Sequence, residues 1–241
     1  MYGAVKSTER NRTLITTLRI KFERTGPVRY IGHLDMMRYF QKAVMRAGID
    51  IRYSEGFNPH QIMSFAYPLG VSMETRGDYF DIDVLSYQDC ETITNQLNTV
   101  MTDEIRVIST TVLPEGAKNA MACVAAADYL VHLISPGGTA ECHFLTDEML
   151  RQFLLQKEII ITKDTGKKIS VEDIRPGILA LEQREDQMLF MKLKSGSDGN
   201  IKPAAILKAL SEMFSMRIVS DRIIRLEIYK RGEDDALVPL G

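Results

Sequence analysis

The chain has 241 residues, 45% of them hydrophobic and 26% charged, which excludes an intrinsically disordered protein and leaves room for two compact units. Thirty Lys and Arg nearly balance thirty-two Asp and Glu, and a net charge of −2 excludes a uniformly basic nucleic-acid binder. Cys90, Cys123 and Cys142 form an odd, scattered set that excludes a disulfide scaffold.

No window reaches the roughly eighteen apolar residues of a membrane span, and Met1 to Arg12 is a polar tail without the apolar run of a signal peptide. A cytoplasmic protein with no membrane contact is expected. From Leu14 to Phe22 apolar residues alternate with Arg19, Lys21 and other polar ones, the two-residue period of a half-buried strand. His33 to Ala47 carries Leu34, Met37, Phe40 and Val44 at helical spacing and stops at Gly48. A short strand over 49–53 precedes a loop over 54–70 punctuated by Gly56, Pro59, Pro68 and Gly70. A strand over 79–85, a helix over 88–100 and a strand over 104–113 complete a βαββαβ order.

A second pass through that order follows. It comprises a strand over 129–134, a helix from Thr146 to about Gln156 and a strand from Glu158 leading into a small hairpin with a turn at 163–167. A hairpin over 178–182 and 188–194, a helix over 203–214 and a strand over 223–229 close it, before an acidic tail at 232–241. The fold class expected is α+β: tandem ferredoxin-like (βαββαβ) units with antiparallel sheets, one over 13–116 and one over 125–231.

The near-neutral total conceals a division. Residues 1–52 carry +7, residues 53–116 carry −8 and the remainder −1. Arg38, Lys42 and Arg46 recur every four residues on the first helix, a stripe able to track a phosphate backbone, or a solvated face in which Asp35 pairs with Arg38. If the first and third strands are neighbours, Arg19 and Lys21 stand near Asp81 and Asp83. That face either pairs its charges or offers Arg19, Lys21 and Arg106 to an RNA strand, with Tyr79 its single aromatic.

The most informative string is Tyr53-Ser54-Glu55-Gly56-Phe57-Asn58-Pro59-His60, which puts a large apolar ring among turn-forming residues. His60, and His33 with Asp35 at the helix start, are the nearby groups suited to acid–base chemistry near neutrality. They form no metal-binding spacing on one element, and the sequence holds no phosphate loop, dinucleotide turn or nucleophile elbow. Neither a metal nor a cofactor is assigned to this chain.

The strings Arg29-Tyr30-Ile31-Gly32-His33-Leu34-Asp35, Tyr53 to His60, Ser64-Phe65, Pro68-Leu69-Gly70 and Asp78-Tyr79-Phe80-Asp81 closely resemble those of the radical-SAM-linked uncharacterised proteins. Asp173-Ile174-Arg175-Pro176 and Lys202-Pro203 resemble weaker C-terminal signatures of the same family. Its members stand alone or are fused behind a radical SAM enzyme. The resemblance implies an accessory whose partner supplies the iron–sulfur cluster and SAM, while this chain binds or presents a substrate. RNA is the substrate class favoured, by analogy with other tandem ferredoxin-like proteins and because the N-terminal third is basic. Substrate or partner contacts are expected from Lys21, Arg29, Arg38, Lys42, Arg46, Tyr53, Ser54, Gly56, Phe57, Asn58, Pro59 and Asp81.

Two other readings stay open. One is an independent RNA-processing or RNA-modifying enzyme using His33 or His60, with Asp35 a third candidate and Lys21 or Arg29 stabilising phosphate charge. The other is a scaffold that binds its partner through Phe57 without touching RNA.

Overall fold

The computed structural model describes residues 15–134, 145–164, 169–185, 187–197 and 199–241. The expected tail at 1–12, the Cys142-His143 pair and most of the turn at 163–167 lie outside these residues. The first half runs β1 (Thr16–Arg24), α1 (His33–Arg46), β2 (Met63–Phe65), β3 (Met73–Val84), α2 (Cys90–Val100) and β4 (Ile105–Val112). After the short α3 (Ala120–Cys123), the second half runs β5 (Ala126–Ile134), α4 (Asp147–Leu154), β6 (Ile160–Asp164), β7 (Ile169–Asp173), β8 (Ile178–Gln183), β9 (Met188–Lys194), α5 (Pro203–Met213) and β10 (Val219–Arg231). A final β11 (Leu237–Pro239) folds back on β10.

The architecture is α+β with a mostly antiparallel sheet. Nine strands form one sheet in the order β4-β1-β3-β10-β5-β9-β8, with β2 on β3 and β11 on β10, while β6 and β7 form a separate ribbon. The halves join through the parallel pair β3–β10, in which Ile223, Ile224 and Arg225 face Met73, Glu74 and Thr75. Beyond that register the two backbones pass so closely that a Cβ on Gly77 would stand 2.5 Å from the Leu226 carbonyl oxygen. Only glycine fits there without displacing β10.

Alternation along the strands builds the cores. Leu18, Ile20 and Phe22 of β1 and Phe80, Ile82 and Val84 of β3 turn inward beneath Met36, Phe40 and Val44 of α1 and Ile93 and Leu97 of α2. Phe22, Phe40, Phe65 and Phe80 make an edge-on and stacked cluster with ring centroids 4.6–6.0 Å apart, packing worth more than its buried area alone. In the second half Tyr129, Val131, Leu189, Met191 and Leu193 meet Leu150 and Phe153 of α4 and Ile206, Leu207 and Leu210 of α5.

Several expectations are corrected. The expected strand over 49–53 is reduced to isolated bridges from Ile51 to Val84 and Tyr53 to Gln61. The strand that pairs with β3 is β2, inside the expected loop, because Phe65 has the aromatic cluster to enter. The expected acidic tail is ordered: Leu240 is fully buried, its amide donates to the Ile228 carbonyl, and its own carbonyl accepts from Arg19. Beside it, a small cluster of Ala66, Tyr79, Ala120, Val124 and Ile228 covers the sheet face opposite the helices. Among the described residues no helix is long and apolar enough to cross a membrane.

The deepest link between the halves is ionic. Arg225 of β10 donates from Nε and Nη2 to the two oxygens of Asp78 on β3, each at 2.6 Å, with the side chains 1% and 7% exposed. Thr75 donates to the same carboxylate at 2.9 Å, and Arg225 reaches the Tyr67 carbonyl at 2.9 Å. Removing one partner strands a buried charge, so Asp78→Ala is expected to lower stability by about 3–5 kcal/mol in urea denaturation. Asp78→Ala/Arg225→Met should recover much of that loss; a double variant no more stable than the single would contradict the assignment.

Candidate functional site

The informative string forms a projecting hairpin. The Arg52 amide donates to the Asp83 carbonyl at 2.7 Å, and the Ser54 amide to the His60 carbonyl at 2.8 Å. Ser54 Oγ accepts the His60 amide at 3.0 Å and lies 2.8 Å from His60 Nδ1, while Gly56 takes a φ of 111° that an L side chain rarely adopts. Gln61, buried at the base, donates to the Gln41 carbonyl and so fastens the hairpin to α1. Phe57 is thereby held at the tip with its ring wholly in solvent, and Tyr53 is partly exposed lower down. Asn58 and Pro59 are exposed on the same loop.

Beside the hairpin, α1 shows Leu34, Arg38, Lys42 and Met45 to solvent. Arg38 pairs with Asp35 at 3.0 Å across one exposed turn. Lys42 has no hydrogen-bond or ion-pair partner among the described residues. Arg46 leaves the stripe and donates to the Val100 carbonyl at the end of α2.

Most of the expected basic surface is neutralised internally. Arg19 grips Asp81 from Nε and Nη2 at 2.8 and 3.0 Å, its Nη1 donates to the Leu240 carbonyl, and Nη2 also reaches the Lys118 carbonyl. Asp81 also accepts the Ala120 amide, so its carboxylate is fully engaged and buried. Arg52 pairs with Asp83, and Lys21 pairs with Glu227 of the second half at 2.6 Å. Burial and the Glu227 carboxylate, which accepts the Tyr79 hydroxyl at 2.7 Å, push that phenol up. Arg29 shares Glu74 with Arg222; burial acts to raise the Glu74 carboxyl, but the two guanidinium groups outweigh it and hold it down.

The three acid–base candidates are not gathered. His33 packs edge-on against Phe65 with centroids 5.5 Å apart, and burial pushes its imidazole down. His60 closes the hairpin and Asp35 holds Arg38, so no hydrogen bond joins the three. Among the described residues no three His, Cys, Asp or Glu side chains come together as a metal site.

What the structure does gather is a cleft lined by Phe22, Arg24, His33, Met36, Phe65, Tyr67, Leu69 and Asp78. The segments 29–35, 64–65, 68–70 and 78–81 converge on it. Arg24, 2% exposed, donates to the Ile31 carbonyl at 2.9 Å and from Nη2 to the Met73 and Gly70 carbonyls at 3.0 and 3.4 Å, while its Nε has no acceptor among the described residues. No carboxylate pairs with it, and burial together with nearby Arg225 pushes its guanidinium down despite Asp78. Sequence reasoning passes over Arg24, although an arginine at the inward parity of Leu18, Ile20 and Phe22 is a readable signal.

These features define a class: an α+β protein with one nine-stranded sheet and a separate two-stranded ribbon, several basic side chains of its first half paired within the fold, and a braced hairpin displaying an aromatic ring. Residues 17–203 match the model of the family described as uncharacterized protein conserved in bacteria (DUF2344), and the chain belongs to that family. No curated protein matches it.

Phe57 is fully exposed, so Phe57→Ala is expected to leave stability within about 0.5 kcal/mol. Phe65→Ala, which opens the aromatic cluster, should cost about 3–5 kcal/mol. Thermal melts of both variants check the contrast.

Proposed function

We propose that this chain is an accessory to a radical SAM enzyme, binding single-stranded RNA and presenting it to that partner in the cytoplasm. The observation that carries the reading is the solvent-exposed Phe57 ring on a braced hairpin, with Tyr53 below it and Arg38 and Lys42 on the adjoining helix. Stacking rings beside cations are what a flexible, unpaired strand requires: a π-face for each base and positive charge for the phosphates. The strings shared with the radical-SAM-linked proteins supply the partner. The three cysteines, 33 and 19 residues apart, fit no iron–sulfur ligand set, so the cluster and SAM belong to that partner.

The strand orders β4-β1-β3-β2 and β10-β5-β9-β8 support reading each half as a ferredoxin-like unit, over 13–116 and 125–231. Dispersal of His33, His60 and Asp35 favours an accessory over an independent RNA-processing enzyme. A second reading draws on the same ring: Phe57 anchors the partner protein directly, in a scaffold that makes no RNA contact.

Binding of a single-stranded oligonucleotide to the full chain separates them. Phe57→Ala should weaken it by about 1–3 kcal/mol if the ring stacks on a base. Arg38→Glu/Lys42→Glu should flatten the salt dependence by about 0.7 in the log–log slope for each phosphate that the two native cations neutralise. RNA affinity unchanged in both variants overturns the RNA reading, and loss of partner capture by Phe57→Ala alone then establishes the scaffold.

A further inference from the structure

The hairpin surface leaves the cleft at Arg24 without a role. Its charges do not balance: Arg225 takes both oxygens of Asp78, and Arg24 stands beside the pair with carbonyl acceptors only. His33 is the other titratable group lining the cleft besides Tyr67, so the local sum is one positive charge in excess. Phe22, Met36, Phe65 and Leu69 make the walls apolar, and in such surroundings an uncompensated cation is costly while a matching anion is strongly held.

Two further features set the sign and size of a ligand. The cleft borders the first turn of α1, whose Gly32 cap supplies no side-chain acceptor and whose one carboxylate, Asp35, is exposed and paired with Arg38, so the positive end of a fourteen-residue helix adds to the field of Arg24. The volume open to the centre of a water molecule is about 10 Å³, room for one atom and not for a phosphate group.

We propose that this cleft is a binding site for a small monovalent anion, either a halide ion or one oxygen of a carboxylate entering from the mouth, with the Arg24 Nε–H as its donor. The site is separate from the hairpin surface and holds whether or not that surface binds RNA.

Melting of the full chain in sodium chloride or sodium formate, balanced at constant ionic strength with sodium methanesulfonate, tests it. A saturable rise of about 3–6 °C at ten times the dissociation constant is expected. A rise with formate alone identifies a carboxylate ligand, and a rise with chloride alone a halide; Arg24→Gln should abolish either. Should that variant fail to fold, crystals of the unmodified chain soaked in the anion that raised the melting temperature decide, bromide by its anomalous scattering or formate by its electron density, with the anion expected beside Arg24 Nε. No saturable rise with either salt, a rise that persists in folded Arg24→Gln, or an empty cleft in crystals soaked with that anion overturns the proposal.

Discussion

The bidentate pair between Asp78 and Arg225 is the constraint on which the rest of the molecule depends. It lies where β3 and β10 run parallel, the one place among the described residues at which the two halves share a backbone ladder. Three register positions would be a weak seam alone. A buried, fully hydrogen-bonded ion pair makes misalignment expensive, since any slip leaves two desolvated charges unpaired. Gly77 permits the close approach, and Arg225 extends the tie to the Tyr67 carbonyl, so the segment leading into β3 is held by the second half as well.

That seam explains why recognition falls to the hairpin. Charges that a sequence count assigns to a basic surface are mostly consumed in pairing: Arg19 with Asp81, Arg29 with Glu74, Arg52 with Asp83 and Lys21 with Glu227. The polar sheet face of the first half is further covered by α3 and the ordered C-terminal residues. What remains outward is narrow: one ring on a rigid tip, a second aromatic below it, and Arg38 and Lys42 on the adjoining helix. An exposed apolar side chain on a hairpin fastened at both ends gains nothing for folding, whereas the bracing of the backbone beneath it lowers the entropy cost of binding.

Much of this was legible in the sequence, and the failures have physical causes. Two-residue alternation locates β1, the later part of β3 and the middle of β10, and the 3.6-residue period with Gly48 locates α1. The segment 54–70 read as loop because Gly and Pro punctuate both ends, and that punctuation hid the Met63–Phe65 strand, whose place depends on aromatic neighbours distant in the chain. The acidic residues at 233–235 suggested a tail, but Leu240 five residues later finds a buried site that no local pattern announces. The opposite charges of residues 1–52 and 53–116 are visible from counting; that Arg19, Arg29 and Arg52 pair with Asp81, Glu74 and Asp83 while Lys21 and Asp78 find their partners in the second half requires the three-dimensional structure. Phe57 is identifiable by being apolar in a turn, whereas the Arg24 cleft needs four separated segments, 22–24, 33–36, 65–69 and 78, to meet.

The central claim, that RNA is bound at the hairpin, is tested most directly by ultraviolet crosslinking in living cells followed by mass spectrometry of the recovered chain. The account predicts nucleotide adducts on the peptide containing Tyr53 and Phe57 and on the neighbouring α1 peptide. Adducts confined to the second half, or recovery of the chain with its partner but without any adduct, would contradict it.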